Sequence, residues 1–178
     1  EIRFCDWSSD VCSSDLTVKV LLFFDVGGSM DWHIKISEEM FSAARSEFKH
    51  MEYFYFHNCL YESVWRDNRR RHTERIPTWD VMHTYPADYK VIFVGDASMS
   101  PYEIAMPGGS VEHWNEEPGA AWLERMMAVY KNAIWLNPVA GHLWDYTPSI
   151  EMIGQLMSGR MFPLTLEGID GAMKELMR

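Results

Sequence analysis

The chain has 178 residues, 16 of them Lys or Arg and 26 Asp or Glu, for a formal net charge of −10. Apolar residues make up 47% and charged residues 24%, a globular balance that excludes disordered, collagen-like and coiled-coil chains and leaves one domain with a sizeable core. The acidic balance argues against a general nucleic-acid binder, no apolar run approaches the ~20 residues of a membrane span, and three cysteines give neither a disulfide framework nor zinc-site spacing.

Residues 1–16 stand apart. Asp6–Leu16 reads DWSSDVCSSDL, two similar blocks without helical or strand period. The string resembles a reading-frame translation of a common sequencing-library adapter, so residues 1–16 are expected to be a non-native artefact and are set aside from fold reasoning. That removes Arg3 and the acids Glu1, Asp6, Asp10 and Asp15, leaving 15 basic and 22 acidic side chains and a lone cysteine, Cys59. Residues 17–178 are expected to be a single domain, the C-terminal part of a longer protein.

Val18–Phe24 (VKVLLFF) is a nearly continuous apolar run ending at Asp25, the pattern of a strand buried on both faces of a parallel sheet. Gly27-Gly28-Ser29 is a turn signal. Ile36, Met40, Ala44 and Phe48 recur every four residues, one face of a helix. Tyr53–Phe56 is aromatic and strand-like, and Tyr61–Trp65 reads as a short partner strand. Arg66–Arg75 is polar and basic and reads as a loop. Thr78 to Tyr85 reads as a short helix stopped near Pro86.

The alternation then repeats. Val91–Val94 (VIFV) is a second buried strand ending at Gly95-Asp96. Ser100-Pro101-Tyr102-Glu103 fits a capping box with proline at the first helical position. Pro118 opens a helix with Trp122, Met126 and Val129 on one face. Ala133–Leu136 (AIWL) is a third such strand. Thr147-Pro148 starts a helix carrying Ile150, Ile153 and Met157. Met161–Leu164 reads as the last strand, and Thr165 caps a final helix with Leu166, Ile169, Met173 and Leu176. Strands alternating with helices predict an α/β fold with a mainly parallel sheet.

Ligands of open α/β sheets bind beyond the carboxyl ends of the strands, near a topological switch point. Two strands here end in aspartate, Asp25 and Asp96. If they are neighbours, both carboxylates project from one sheet edge, which is costly unless a cation neutralises them or one takes a proton. Ser29 follows on a glycine-rich turn. Carboxylates plus a hydroxyl are oxygen-only ligands and favour a hard cation such as Mg²⁺.

Asp25-Val26-Gly27-Gly28-Ser29-Met30 resembles the first motif, D-x-S-x-S, of a von Willebrand factor type A (VWA) domain. In that family the motif joins a later Thr and a later Asp in a metal-ion-dependent adhesion site. Asp96, in Gly95-Asp96-Ala97, stands where the last aspartate belongs; Thr78 is the candidate threonine and Thr73 the runner-up. The resemblance covers Thr17–Arg178, and the G-G-S-M and G-D-A segments look closest to bacterial CoxE-like proteins. It implies a three-layer Rossmann-like fold, with six strands, a mainly parallel sheet, one antiparallel edge strand (Tyr61–Trp65) and helices on both faces. It implies a metal set of Asp25, Ser29, Thr78 and Asp96 holding Mg²⁺ or Mn²⁺, with a partner protein's carboxylate completing the coordination. It also implies a cytoplasmic bacterial adaptor working with a MoxR-type AAA+ ATPase in protein assembly or metal-cofactor maturation. Gly27 departs from the pattern by replacing the first serine, so one hydroxyl ligand is missing; a water fills such gaps readily on Mg²⁺.

The rival class is an Mg²⁺-dependent phosphoryl hydrolase. Those resembling the haloacid dehalogenase family need an Asp two residues after the first, where Gly27 stands, and an acid soon after Gly95-Asp96, where Ala97–Ser100 holds none. No Walker-type or G-x-G-x-x-G motif is present. A binding module is therefore preferred to a catalyst, with a VWA-like domain of decayed metal site as a third reading. The arginines of Arg66–Arg75 read as a solvated loop rather than a nucleic-acid site. The histidines lack zinc spacing; His33, His113 and His142, each near a Trp, read as exposed or core-satisfied side chains rather than rim groups, and the loop residues Trp32, Trp114 and Trp144 as candidate interface anchors. Cys59 reads as a buried inert thiol.

Overall fold

The structure is a computed structural model that describes residues 18–43, 48, 50–110 and 114–178. The adapter-like segment therefore lies outside the described residues, as do Ala44 and His113. Seven strands form one sheet: β1 (Lys19–Asp25), β2 (His50–Phe56), β3 (Ser63–Trp65), β4 (Arg75–Pro77), β5 (Lys90–Val94), β6 (Ala133–Asn137) and β7 (Met161–Pro163), in the order β4-β3-β2-β1-β5-β6-β7. β2, β1, β5, β6 and β7 run parallel, while β3 is antiparallel to β2 and β4 to β3. The helices are α1 (Asp31–Ala43), α2 (Thr78–Thr84), α3 (Pro101–Ala105), α4 (Gly119–Val129), α5 (Pro148–Leu156) and α6 (Leu166–Leu176). Among the described residues, no helix is long and apolar enough to cross a membrane.

The three-layer α/β class follows from which residues share a face. Along β1, Leu21 and Phe23 face a core completed by α2 to α5, while Val20, Leu22 and Phe24 face a second core completed by α1 and α6. Because both faces are covered, the strand reads as a continuous apolar run. On the first face Phe54, Phe23, Phe93 and Trp135 stand in register on β2, β1, β5 and β6. Neighbouring rings in this row lie 5.3–5.4 Å apart, within the range where aromatic pairs add to area burial. The row lies two residues below the end of β1 and braces the rim where Asp25 sits.

Three expectations are corrected. The sheet has seven strands rather than six, because Arg75–Pro77 pairs with Ser63–Trp65 and takes the edge position. Three residues are too few to show alternation, and Pro77 is tolerated because an edge strand has no outer partner for its missing N–H. The buried stripe of α1 is turned from the expected one: Ile36 is exposed, whereas Ser37 and Phe41 are buried. Ser37 is polar in sequence but hands its proton to the His33 carbonyl at 2.9 Å, which makes its burial cheap. Ser100 caps α3 as expected, its Oγ accepting from the Tyr102 N–H with Pro101 following. The Glu103 carboxylate is instead turned inward, accepting from Asn58 Nδ2 and the Tyr61 hydroxyl.

Two glycines test this packing. A β-carbon on Gly95 would stand 2.8 Å from Asp25 Cβ and 3.2 Å from the Trp135 ring, whereas one on Gly154 in α5 meets nothing within 4 Å. Gly95→Ala is expected to destabilise by about 1–3 kcal/mol and Gly154→Ala to stabilise by about 0.5–1 kcal/mol, read from urea unfolding. Equal effects at the two positions would contradict the packing described.

Candidate functional site

β1 and β5 are adjacent and parallel, with Phe24 opposite Val94. The chain leaves β1 for α1 on one face of the sheet and leaves β5 for α3 on the other. The gap between them is thus a topological switch point, where an open α/β sheet has its natural crevice. Asp25 ends β1, and Asp96 lies two residues past the end of β5. The two aspartates predicted from sequence are therefore brought to one rim.

Both acids are buried, at 1% and 4% exposure, while Ser29 above them is exposed. The Ser29 hydroxyl donates to Asp96 Oδ2, and Asp96 Oδ1 accepts from the Ser98 N–H at 2.8 Å. Asp25 Oδ1 accepts from the Asn58 N–H at 2.8 Å, and its side chain lies against Gly95, the position where a β-carbon would collide. Burial first, and the nearby Asp96 charge second, push the Asp25 carboxyl well above its ordinary range; backbone N–H groups and Arg70 offset this only in part.

Several residues that position this rim carried no motif. Asn137, fully buried at the end of β6, donates from Nδ2 to the Asp96 carbonyl at 2.9 Å and accepts from the Val139 N–H at 2.8 Å. Trp135 Nε1 donates to the Gly95 carbonyl at 2.7 Å. Together they clamp the peptides flanking Asp96 and hold Ala97 at φ 54°, a left-handed conformation uncommon for a residue with a side chain. Asn58, at φ 57°, links Asp25 to buried Glu103 by donating its N–H to one and its side-chain amide to the other. His57 places Nδ1 2.8 Å from the Val26 carbonyl; a carbonyl only accepts, so that nitrogen carries the proton.

The other candidates make contacts of their own. Thr78 is fully buried at the start of α2, its hydroxyl donating to the Tyr61 carbonyl at 2.5 Å and its N–H to the Glu62 carbonyl at 2.8 Å. No hydrogen bond joins it to Asp25, Ser29 or Asp96. Thr73 is exposed in the single turn His72–Glu74. His33 lies in α1 and His142 in the helical turn Gly141–Tyr146. Trp32 and Trp114 are exposed, whereas Trp144 is half-buried and donates to the Val139 carbonyl. Cys59 is a free, buried thiol, and burial pushes its pKa up, which keeps it protonated and unreactive.

No family model, curated protein or solved structure matches this chain. Among the described residues, no cluster of three or more His, Cys, Asp or Glu side chains is placed to hold a metal ion. The rim instead offers two carboxylates and a hydroxyl, a set suited to a hard cation that retains water ligands.

The raised Asp25 carboxyl has a signed consequence. Below the ordinary carboxylate range, Asp25 is protonated in folded and unfolded chains alike and costs nothing. As pH rises through that range the unfolded chain loses the proton first, so stability falls until the folded value is passed. In metal-free, chelator-treated protein, Asp25→Asn is expected to stabilise the fold by an increment that grows from about pH 4 to pH 7, measured by urea unfolding across that range. An increment independent of pH would contradict the assignment.

Proposed function

We propose that the Asp25–Ser29–Asp96 rim is a divalent-cation site through which the domain docks a protein partner, the function of a VWA-like adhesion module. The observation that carries this reading is the meeting of two buried carboxylates under one exposed hydroxyl at the sheet's switch point. A bound Mg²⁺ or Mn²⁺ would supply positive charge and a vacant coordination position for an acidic side chain of the partner. The chain's own residues do the rest. Asn58 orients Asp25, Ser98 and Asn137 orient Asp96, and the Ser29 hydroxyl donates to the Asp96 carboxylate. Thr78 joins the proposed ligand set from the VWA resemblance, its hydroxyl keeping a lone pair because its proton goes to Tyr61.

The surroundings suit protein docking. Trp32, Tyr102 and Tyr146 are 85%, 69% and 81% exposed, and each follows the carboxyl end of a parallel strand (β1, β5 and β6). They therefore ring the same edge as the acids, and large aromatics are the anchors of protein interfaces. The remaining elements of the reading are a cytoplasmic bacterial adaptor, a MoxR-type AAA+ ATPase as partner, and protein assembly or metal-cofactor maturation as the process. These rest on the CoxE-like resemblance.

An interaction surface with no metal is the second reading. Gly27 favours it, because the place of the family's first serine side chain is crowded by the Arg70 and His57 side chains.

Calorimetric titration with Mn²⁺ distinguishes the two. The wild-type chain is expected to bind one equivalent, and Asp96→Asn to weaken binding at least tenfold, about 1.4 kcal/mol, with the circular dichroism spectrum of the folded chain retained. An ATPase of the MoxR type is expected to be captured in Mg²⁺ and released by chelator. Absence of Mn²⁺ binding, or capture indifferent to chelator, would overturn the metal-dependent reading. Phosphate-ester turnover in Mg²⁺ that Asp25→Asn abolishes would assign the site to a hydrolase instead.

A further inference from the structure

On the α1 face of the sheet, a cavity of about 220 Å³ lies between the second half of α1 and the paired strands β1 and β2. Two periodicities build it. β1 and β2 are parallel, with Leu22 opposite Tyr53 and Phe24 opposite Tyr55, and side chains two apart on a strand share a face. Glu38, Phe41 and Ser42 stand at i, i+3 and i+4 of α1, one face of the helix. Phe24, Phe41, Tyr53 and Tyr55 therefore wall the cavity with aromatic rings, while Glu38 is the one charged group among its lining residues. The rings form a continuous wall: Phe24 lies 5.8 Å from Phe41 and 5.9 Å from Tyr55, and Tyr55 lies 6.0 Å from Tyr53. Ser42 and Tyr53 are exposed and open the cavity to solvent.

Glu38 lacks the counter-charge that this setting calls for. The Tyr55 hydroxyl donates to Glu38 Oε1 at 2.7 Å. Among the described residues no ion pair involves Glu38; Lys35, almost one turn before it, pairs with Glu39 at 3.9 Å instead. The chain thus sets a half-buried carboxylate beside four aromatic rings and supplies no cation to it. An anionic ligand would be repelled by Glu38, and a neutral apolar one would strip its water without replacing it. An organic ammonium ion meets both parts of the wall. Its charge is attracted to aromatic faces, its N–H groups can donate to the remaining Glu38 oxygen, and its alkyl part can cover the apolar floor made by Leu22 and Met51.

We propose that the cavity between α1 and the β1–β2 pair binds a small alkylammonium ion, held by the Glu38 carboxylate and the aromatic wall of Phe24, Phe41, Tyr53 and Tyr55. The cavity is smaller than the sites that take drug-sized ligands, which limits the occupant to a single short chain with its ammonium head. A free amine and the side chain of a partner's lysine share this chemistry. The Asp25–Asp96 rim and its cation play no part in this site.

Calorimetric titration of the whole chain at millimolar ligand tests this with three probes: n-butylammonium, which is a lysine side chain in free form; Nα-acetyl-lysine methylamide, the same group on a peptide unit; and 1-butanol, similar in shape but uncharged. n-Butylammonium is expected to bind one equivalent, and 1-butanol at least tenfold more weakly. Glu38→Gln removes the charge but keeps an acceptor for Tyr55. It is expected to weaken ammonium binding at least tenfold, with the circular dichroism spectrum and the binding of 1-butanol unchanged. Tyr53→Leu is expected to weaken ammonium binding several-fold, and Tyr53→Phe to bind like the wild type because the ring is kept. Tighter binding of the lysine probe than of n-butylammonium would support the site and assign its occupant to a protein side chain; equal or weaker binding would support it and assign a free amine. No binding of either ammonium, equal binding of ammonium and alcohol, or wild-type binding by Glu38→Gln would overturn the proposal.

Discussion

Everything at the functional end of this molecule follows from one electrostatic constraint. Two neighbouring parallel strands end in acids, and the fold buries both of them at the same rim. Like charges that share a low-dielectric crevice raise each other's cost of ionisation. The protein answers with hydrogen-bond donors: backbone N–H groups from Asn58 and Ser98 and the Ser29 hydroxyl, with the Arg70 charge a weaker offset at Asp25. A divalent cation would be the strongest such device, which is why we propose this rim as a binding site.

The scaffold beneath is stiff where the site needs it. An aromatic row runs across four strands directly below Asp25, and its last member, Trp135, also holds the Gly95 carbonyl. Asn137, on the same strand, holds the next carbonyl, that of Asp96. The strained Ala97 is therefore fixed from β6 rather than from its own loop. In contrast, the walls of the rim come from connecting segments: the Gly27-Gly28-Ser29 turn, the β2–β3 connection with His57 and Asn58, and the β3–β4 loop with Arg70. Rigid acids among loop-built walls suit the proposed role of admitting a cation and then a partner.

The parallel core was legible because burial on both faces leaves a plain trace. VKVLLFF, VIFV and AIWL are apolar runs with no other use than central strands, and Asp25 and Asp96 were conspicuous for ending two of them. Proline and threonine marked the starts of α3, α5 and α6 in the same direct way. What escaped was whatever depends on contacts distant in sequence. Arg75–Pro77 becomes a strand only because Ser63–Trp65 offers it an edge. Ser37 is buried only because His33 accepts its proton. Glu103 looked like half of a capping box, yet it is drawn inward by Asn58 and Tyr61, 45 and 42 residues away. Arg70 looked like one charge in a basic run, and nothing local distinguishes it from Arg69 or Arg71, yet its guanidinium comes to rest beside Gly27.

The central claim is that Asp25 and Asp96 act on one common charge. Its most direct test is the anomalous difference map of a crystal grown with Mn²⁺. The account predicts a peak within about 2.0–2.3 Å of a carboxylate oxygen from each aspartate, next to the Ser29 hydroxyl. A manganese peak held by only one of the two acids, or none at saturating Mn²⁺, would contradict it.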